Sequence, residues 1–159
     1  MGPYWWPDPD KPDGLPYIRR DGEHNPEVEK TDRPLLAKLI STVKTLGVAY
    51  GFTHREDYAT HAALLLRTWF MNPETRMNPT LLFGQAISGI CEGRGIGLIE
   101  TAALAREMLP AVRFLCDSEN WSEEDMEGLQ AWFHAFLEWM LKHPYGVDEE
   151  RHGNNQSTA

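Results

Sequence analysis

Cysteine is nearly missing: Cys91 and Cys116 are the only two in 159 residues. They lack metal-site spacing, so they give no cysteine metal centre. Two buried core thiols are the reading favoured over a disulfide. Positive charge is also short. Fifteen Lys and Arg face 24 Asp and Glu, a formal net charge of −9. That balance disfavours nonspecific nucleic-acid binding and anionic membranes. It disfavours a polyanionic substrate too, unless a cleft concentrates the arginines. No apolar run reaches about 18 residues, so no membrane span is expected. The n-region and h-region of a signal peptide are missing before Tyr4. No segment of useful length alternates apolar and polar, so strands are not expected. The six histidines form no H-E-x-x-H pattern. His54 and His61 read as solvated residues on one helix face.

What is present points to a folded chain. Hydrophobic residues make up 42% and aromatics 11%, against disorder. The length suits one domain with a sizeable core. The opening MGPYWWPDPDKPDGLPY holds two tryptophans and five prolines. Proline forbids helix there, so residues 1–31 read as an extended, turn-rich arm.

Helical periodicity begins at Asp32, which can cap, with Pro34 in the first turn. Leu35, Leu36, Leu39, Ile40, Val43, Leu46 and Tyr50 then share one stripe. Thr53-His-Arg-Glu56 reads as a capping box opening a second helix. The short connection predicts an antiparallel hairpin. Residues 71–99, rich in Asn, Pro, Gly and Arg, read as a long ordered loop with one short helix around Leu81–Ile87. A third helix spans about Thr101–Leu115, kinked at Pro110. A fourth follows Ser122-Glu-Glu-Asp125, with Trp121 and Met126 as a hydrophobic staple. Its broad apolar face takes Met126, Leu129, Phe133, Phe136, Leu137, Met140 and Leu141, widened by Trp132 and Trp139, and Pro144 and Gly146 stop it. The class is all-α, built from antiparallel helical hairpins.

Chemistry is harder to place. Gly93-Arg-Gly-Ile-Gly97 lacks full G-x-G-x-x-G spacing and a preceding strand, so it is not a dinucleotide loop. The acid sets 123–125 and 148–150 lie at a helix start and in an expected exposed tail. Neither resembles the raised-pKa acid of a hydrolase. Asn78, Gln85 and Arg94 suit a sugar-acid site: amides read hydroxyls and arginine pairs with a carboxylate. Equally, the two amides could serve only to tie the loop backbone.

Longer stretches are more specific. PYWWPDPDKPDGLPYIRRDGEHNPE, LLLRTWFMNPETRMNPTLLFGQAISGICEGRGIGLIE and the terminal Asn154-Asn155 pair resemble, in the same order, the alginate lyase domain family of polysaccharide lyases. The resemblance implies an (α/α) toroid whose hairpins surround a cleft for an acidic polysaccharide. It implies no metal and no other cofactor, and a family that is typically secreted or periplasmic. The implied reaction is β-elimination at a uronic acid. The carboxylate is neutralised, a His or Tyr takes the C5 proton, and a Tyr protonates the leaving O4.

Asn155 matches the Asn of the family's Asn-Asn-His run that neutralises the carboxylate. Gln156 stands where His is expected, and Gln is no base near neutral pH. The downstream Arg and Tyr of the family have no counterpart. The expectation is therefore a partial domain over 1–159, truncated at both ends and inactive or weak alone. It comprises an arm at 1–31, hairpins at 32–145 and a truncated tail at 146–159. Asn78, Gln85 and Arg94 are the candidate substrate contacts. Tyr4, Trp5 and Trp6 either wall the cleft or pack the arm against the helices. The rival reading is a non-catalytic helical module binding glycan or protein, with self-association through uncovered helix faces.

Overall fold

Thr31, not Asp32, opens the first long helix. In the computed structural model, which describes residues 1–152, the Thr31 hydroxyl accepts the Arg33 N–H (3.4 Å). Asp32 sits one step later, where its charge favours the helix N-terminus. Helix α1 (Asp32–Thr53) buries Leu36, Leu39, Ile40, Val43 and Tyr50. That is most of the stripe expected; Leu35 is exposed. Contrary to expectation, an 18-residue window of α1 is apolar and long enough to cross a membrane, with mean hydropathy 1.2. Its buried stripe belongs to the core instead.

The expected Thr53–Glu56 capping box does not form. His54 closes α1 in the left-handed region (φ 52°), and Arg55 precedes helix α2 (Glu56–Leu66) without a side-chain cap. The Glu56 carboxylate turns inward and accepts from Tyr50 Oη (3.0 Å), Asn120 Nδ2 (2.7 Å) and Ser118 Oγ (2.5 Å). Three tertiary donors outcompete one local amide. They also hold the carboxyl below its usual range, the Ser118 bond contributing most. Ala59, Ala62 and Ala63 let α2 lie close along α1. A π-helical turn, Arg67–Met71, ends α2 and buries Phe70.

The third helix arrives in pieces. A 3₁₀ run (Gly95–Thr101), a π turn (Leu104–Met108), helix α3 (Leu109–Val112) and a 3₁₀ turn (Arg113–Asp117) follow one another. Pro110 has no N–H for the fourth carbonyl back, and the Leu109 N–H reaches to the Leu104 carbonyl. Leu104, Met108, Ala111, Val112 and Leu115 are buried, as the spacing predicts.

Helix α4 (Glu123–Lys142) has the expected box: Ser122 Oγ accepts the Asp125 N–H (3.2 Å) and Asp125 Oδ2 accepts the Ser122 N–H (2.9 Å). Most of the predicted face packs inward, with Met126, Phe133, Trp139 and Met140 against the core. Leu129, Trp132 and Phe136 are inside, whereas Leu137 and Leu141 are 48% and 66% exposed. Ring packing sets the angle: Trp132 lies 4.7 Å from Phe70 and 5.3 Å from Phe136, and Phe136 stacks on Trp139. Pro144 stops α4 but also starts helix α5 (Pro144–His152), where a tail was expected. Fully buried Val43, Leu66, Phe70, Met108 and Leu115 anchor one core shared by α1 to α4. Each such side chain contributes roughly 1.5–3 kcal/mol before entropy is subtracted.

The arm is not purely extended. Trp5–Trp6 (β1) pairs antiparallel with Ile18–Arg19 (β2), and a 3₁₀ turn spans Pro26–Lys30. The short helix expected around Leu81–Ile87 is replaced by turns, because Gln85 takes φ 49° and cannot continue a right-handed helix. Both thiols are free, and neither is a core residue: Cys91 is half-buried and Cys116 exposed.

Candidate functional site

The loop from Leu81 to Arg94 is the platform of the site, and glycine lets it fold back on itself. A Cβ on Gly93 would collide with the Leu82 carbonyl, and one on Gly97 would sit 2.9 Å from the Gly84 backbone. The Arg94 N–H donates to the Gly84 carbonyl (2.9 Å), and Ile87 pairs with Cys91 across a tight turn. The arm is laced onto this platform. Gly2 N–H donates to the Ala86 carbonyl (2.9 Å), and Tyr17 N–H to the Ser88 carbonyl (3.0 Å). Asn25, only 2% exposed, donates from Nδ2 to the Trp5 carbonyl (2.7 Å) and caps the Pro26–Lys30 turn.

This lacing brings Trp5, Gln85 and Arg94 together. Arg94 donates from Nε to the Gln85 carbonyl (3.0 Å) and from Nη2 to Gln85 Oε1 (2.9 Å). Its guanidinium lies 5.9 Å from the centre of the Trp5 ring. Gln85 Nε2 donates to Glu100 Oε1 (2.9 Å), and Glu100 Oε2 pairs with Arg33 Nε (2.7 Å). Arg94 is half-buried and has no carboxylate partner among the described residues. Burial pushes its pKa below the usual arginine value. A partly desolvated guanidinium with no carboxylate beside it has the chemistry to take an anion.

The other expected residues are placed differently. Asn78 is exposed and shares no hydrogen bond with Gln85 or Arg94; its carbonyl accepts the Thr80 N–H (2.7 Å). Tyr4 is 40% exposed and meets His24 edge-on. Trp6 donates to the Glu23 carbonyl (2.9 Å) under the Arg20 guanidinium. Asn155 and Gln156 lie outside the described residues. Gln85 has both amide atoms engaged, so within the described chain its amide serves to orient Arg94.

Sequence reasoning missed Glu100 and Arg33, since nothing in their spacing links them to Gln85. It missed Asn25, although Asn-Pro before a turn was a readable cap signal. It also misjudged Glu149. Expected in an exposed tail, Glu149 is 6% exposed, and its Oε1 has no partner among the described residues. Helix α5 presses it toward Gly95, whose added Cβ would lie 2.5 Å from the Tyr145 carbonyl and 3.5 Å from Glu149 Cβ. Burial first, then the charge of Asp148, pushes the Glu149 carboxyl up. The expectation that this acid set holds no raised-pKa carboxyl is overturned.

A sequence model of the alginate lyase family matches residues 1–159. No curated protein matches the chain. Among solved structures, that of an alginate lyase from Bacteroides ovatus superposes with a TM-score of 0.93 at 44% identity. The match covers 99% of this chain and 42% of that one. The helical hairpins described above are thus those of the (α/α) toroid class expected from the resemblance.

Proposed function

Because the chain belongs to the alginate lyase family, we propose that the Trp5–Gln85–Arg94 cluster binds a uronate of an acidic, alginate-like polysaccharide that undergoes β-elimination. One observation carries the reading: Arg94 is half-buried, fixed in direction by Gln85, and unpaired with any described carboxylate. Its Nη1 edge makes no hydrogen bond among the described residues, which leaves a fork suited to a carboxylate. The Trp5 ring beside it offers an apolar face for a pyranose.

The elimination breaks the C5–H and C4–O4 bonds and forms a C4=C5 double bond, while the proton count is closed by protonating O4. Neutralising the uronate carboxylate lowers the cost of the carbanion-like charge at C5. Asn155 is the proposed neutraliser by its match to the family motif. Gln156 takes the place of the motif His, so the proposed proton transfer is slow in this chain.

Two measurements test this. Calorimetric titration with an alginate tetrasaccharide is expected to show saturable binding that a neutral tetrasaccharide of the same length does not. Ultraviolet absorbance of the unsaturated uronate product is expected to rise slowly, and faster in Gln156→His. No difference between acidic and neutral sugars sinks the site. Binding with no absorbance change, even in Gln156→His, favours the non-catalytic glycan-binding module.

A further inference from the structure

Glu100 stands one amide behind Arg94: it meets Gln85, and Gln85 meets Arg94. Its two carboxylate oxygens are spent separately: Oε1 accepts from Gln85 Nε2 (2.9 Å), and Oε2 pairs with Arg33 Nε (2.7 Å). Its side chain is only 18% exposed. The consequence falls on the Gln85 amide. An amide can be turned either way, and its partners decide which. A carboxylate on one side demands the NH₂, so the carbonyl oxygen must face Arg94. The reverse orientation would set acceptor against acceptor at Glu100 and donor against donor at Arg94. Arg33 completes the arrangement. It anchors the carboxylate that stands one amide away from Arg94, so that this negative charge does not move over to neutralise the guanidinium.

We propose that Glu100 is a positioning residue for uronate recognition: held by Arg33, it fixes the Gln85 amide, which in turn aims Arg94. The inference rests on Arg94 being the carboxylate receptor. It reaches back to the first turn of α1 through the Arg33–Glu100 pair. Gln85 adopts φ 49°, an uncommon region for a residue other than glycine, which favours side-chain contacts that hold it there. Glu100 supplies one such contact.

The test is a double-mutant cycle on the full chain, read as affinity for an alginate tetrasaccharide. Glu100→Ala and Gln85→Ala are each expected to weaken binding by about fivefold to tenfold. The double variant is expected to bind no more weakly than Gln85→Ala alone, because Glu100 acts only through Gln85. Multiplying losses overturn the proposal, as does full affinity in Glu100→Ala. If Glu100→Ala does not fold, the same cycle is run with Glu100→Gln, expected to lose about threefold, again without multiplication.

A second readout needs no sugar. Rotational exchange of the Arg94 Nη2 protons about the Cζ–Nη2 bond, which the Gln85 Oε1 contact restrains, is followed by nuclear magnetic resonance and is expected to quicken about tenfold in Glu100→Ala. An unchanged rate overturns the positioning role. Failure of the function proposed above looks different: Arg94→Ala would then bind the tetrasaccharide as tightly as the parent chain, while the exchange result stands by itself.

Discussion

Arg94 and Gln85 are joined twice, by Nε to the main-chain carbonyl at 3.0 Å and by Nη2 to the side-chain oxygen at 2.9 Å. One residue thus supplies both anchors of a guanidinium that has no described carboxylate of its own. Two-point anchoring fixes the plane of the fork, which a single bond would leave free to rotate.

Arg94→Lys is therefore not conservative. Lysine keeps the charge but cannot span both Gln85 oxygens and still offer a fork. Affinity for an alginate tetrasaccharide is expected to fall about tenfold in Arg94→Lys and further in Arg94→Ala, measured by calorimetry. Equal affinity in all three chains contradicts the assignment.

Helix α1 meets α3 at Gly47 more closely than a side chain permits. A Cβ there would lie 2.5 Å from the Ala111 carbonyl oxygen and 3.2 Å from Ala111 Cβ. Backbone cannot yield as a side-chain tip can. Gly47→Ala is expected to lose about 1–3 kcal/mol in urea unfolding, despite alanine's better helix propensity. A gain in stability would show that α3 moves away at no cost.

Asp125 serves two structures at once. It closes the α4 capping box and takes a bidentate pair from Arg67, at 2.7 Å to Nε and through Nη2, and it is 8% exposed. The Arg67 bonds, chiefly, hold its carboxyl below the usual range. A depressed folded pKa gives stability that is present above the unfolded value of about 3.9 and is lost as pH falls through the folded one. Asp125→Asn is expected to cost about 2 kcal/mol at neutral pH, because it removes the charge facing Arg67 and one of the two oxygens that serve Arg67 and the Ser122 N–H. The variant's midpoint of thermal unfolding should also fall less steeply than the parent's on acidification.

Glu149 has the opposite sign. Its carboxyl is raised by burial, so its share of stability is full below the unfolded pKa of about 4.3 and is lost as pH rises through the folded value. Glu149→Gln keeps the shape without the charge. It is expected to raise the unfolding midpoint at pH 8 and leave it nearly unchanged at pH 4, in paired thermal scans. A uniform shift at both values would mean that packing, not ionisation, is at stake.

The linear chain was enough for the helical class, the faces of α1 and the third helical run, and the box at Ser122. These depend on period and on neighbours within one turn, and such signals survive in a linear chain. Motif order was enough to identify the family, and the picture of hairpins from one toroid followed from it.

Tertiary structure decided whatever depended on competition between distant partners. Thr53 and Glu56 read as a box until Ser118 and Asn120, over sixty positions away, offered the carboxylate better donors. The acids at 148–150 read as a solvated tail until α5 carried Glu149 against the Gly95 turn. Leu137 and Leu141 fit the apolar stripe until the stacking of Trp132, Phe136 and Trp139 set the rotation of α4. At the site, Gln85 and Arg94 were legible as chemistry, but not their dependence on Glu100 and Arg33. A hydrogen bond is decided by which groups meet when the chain closes, and no local period records that meeting.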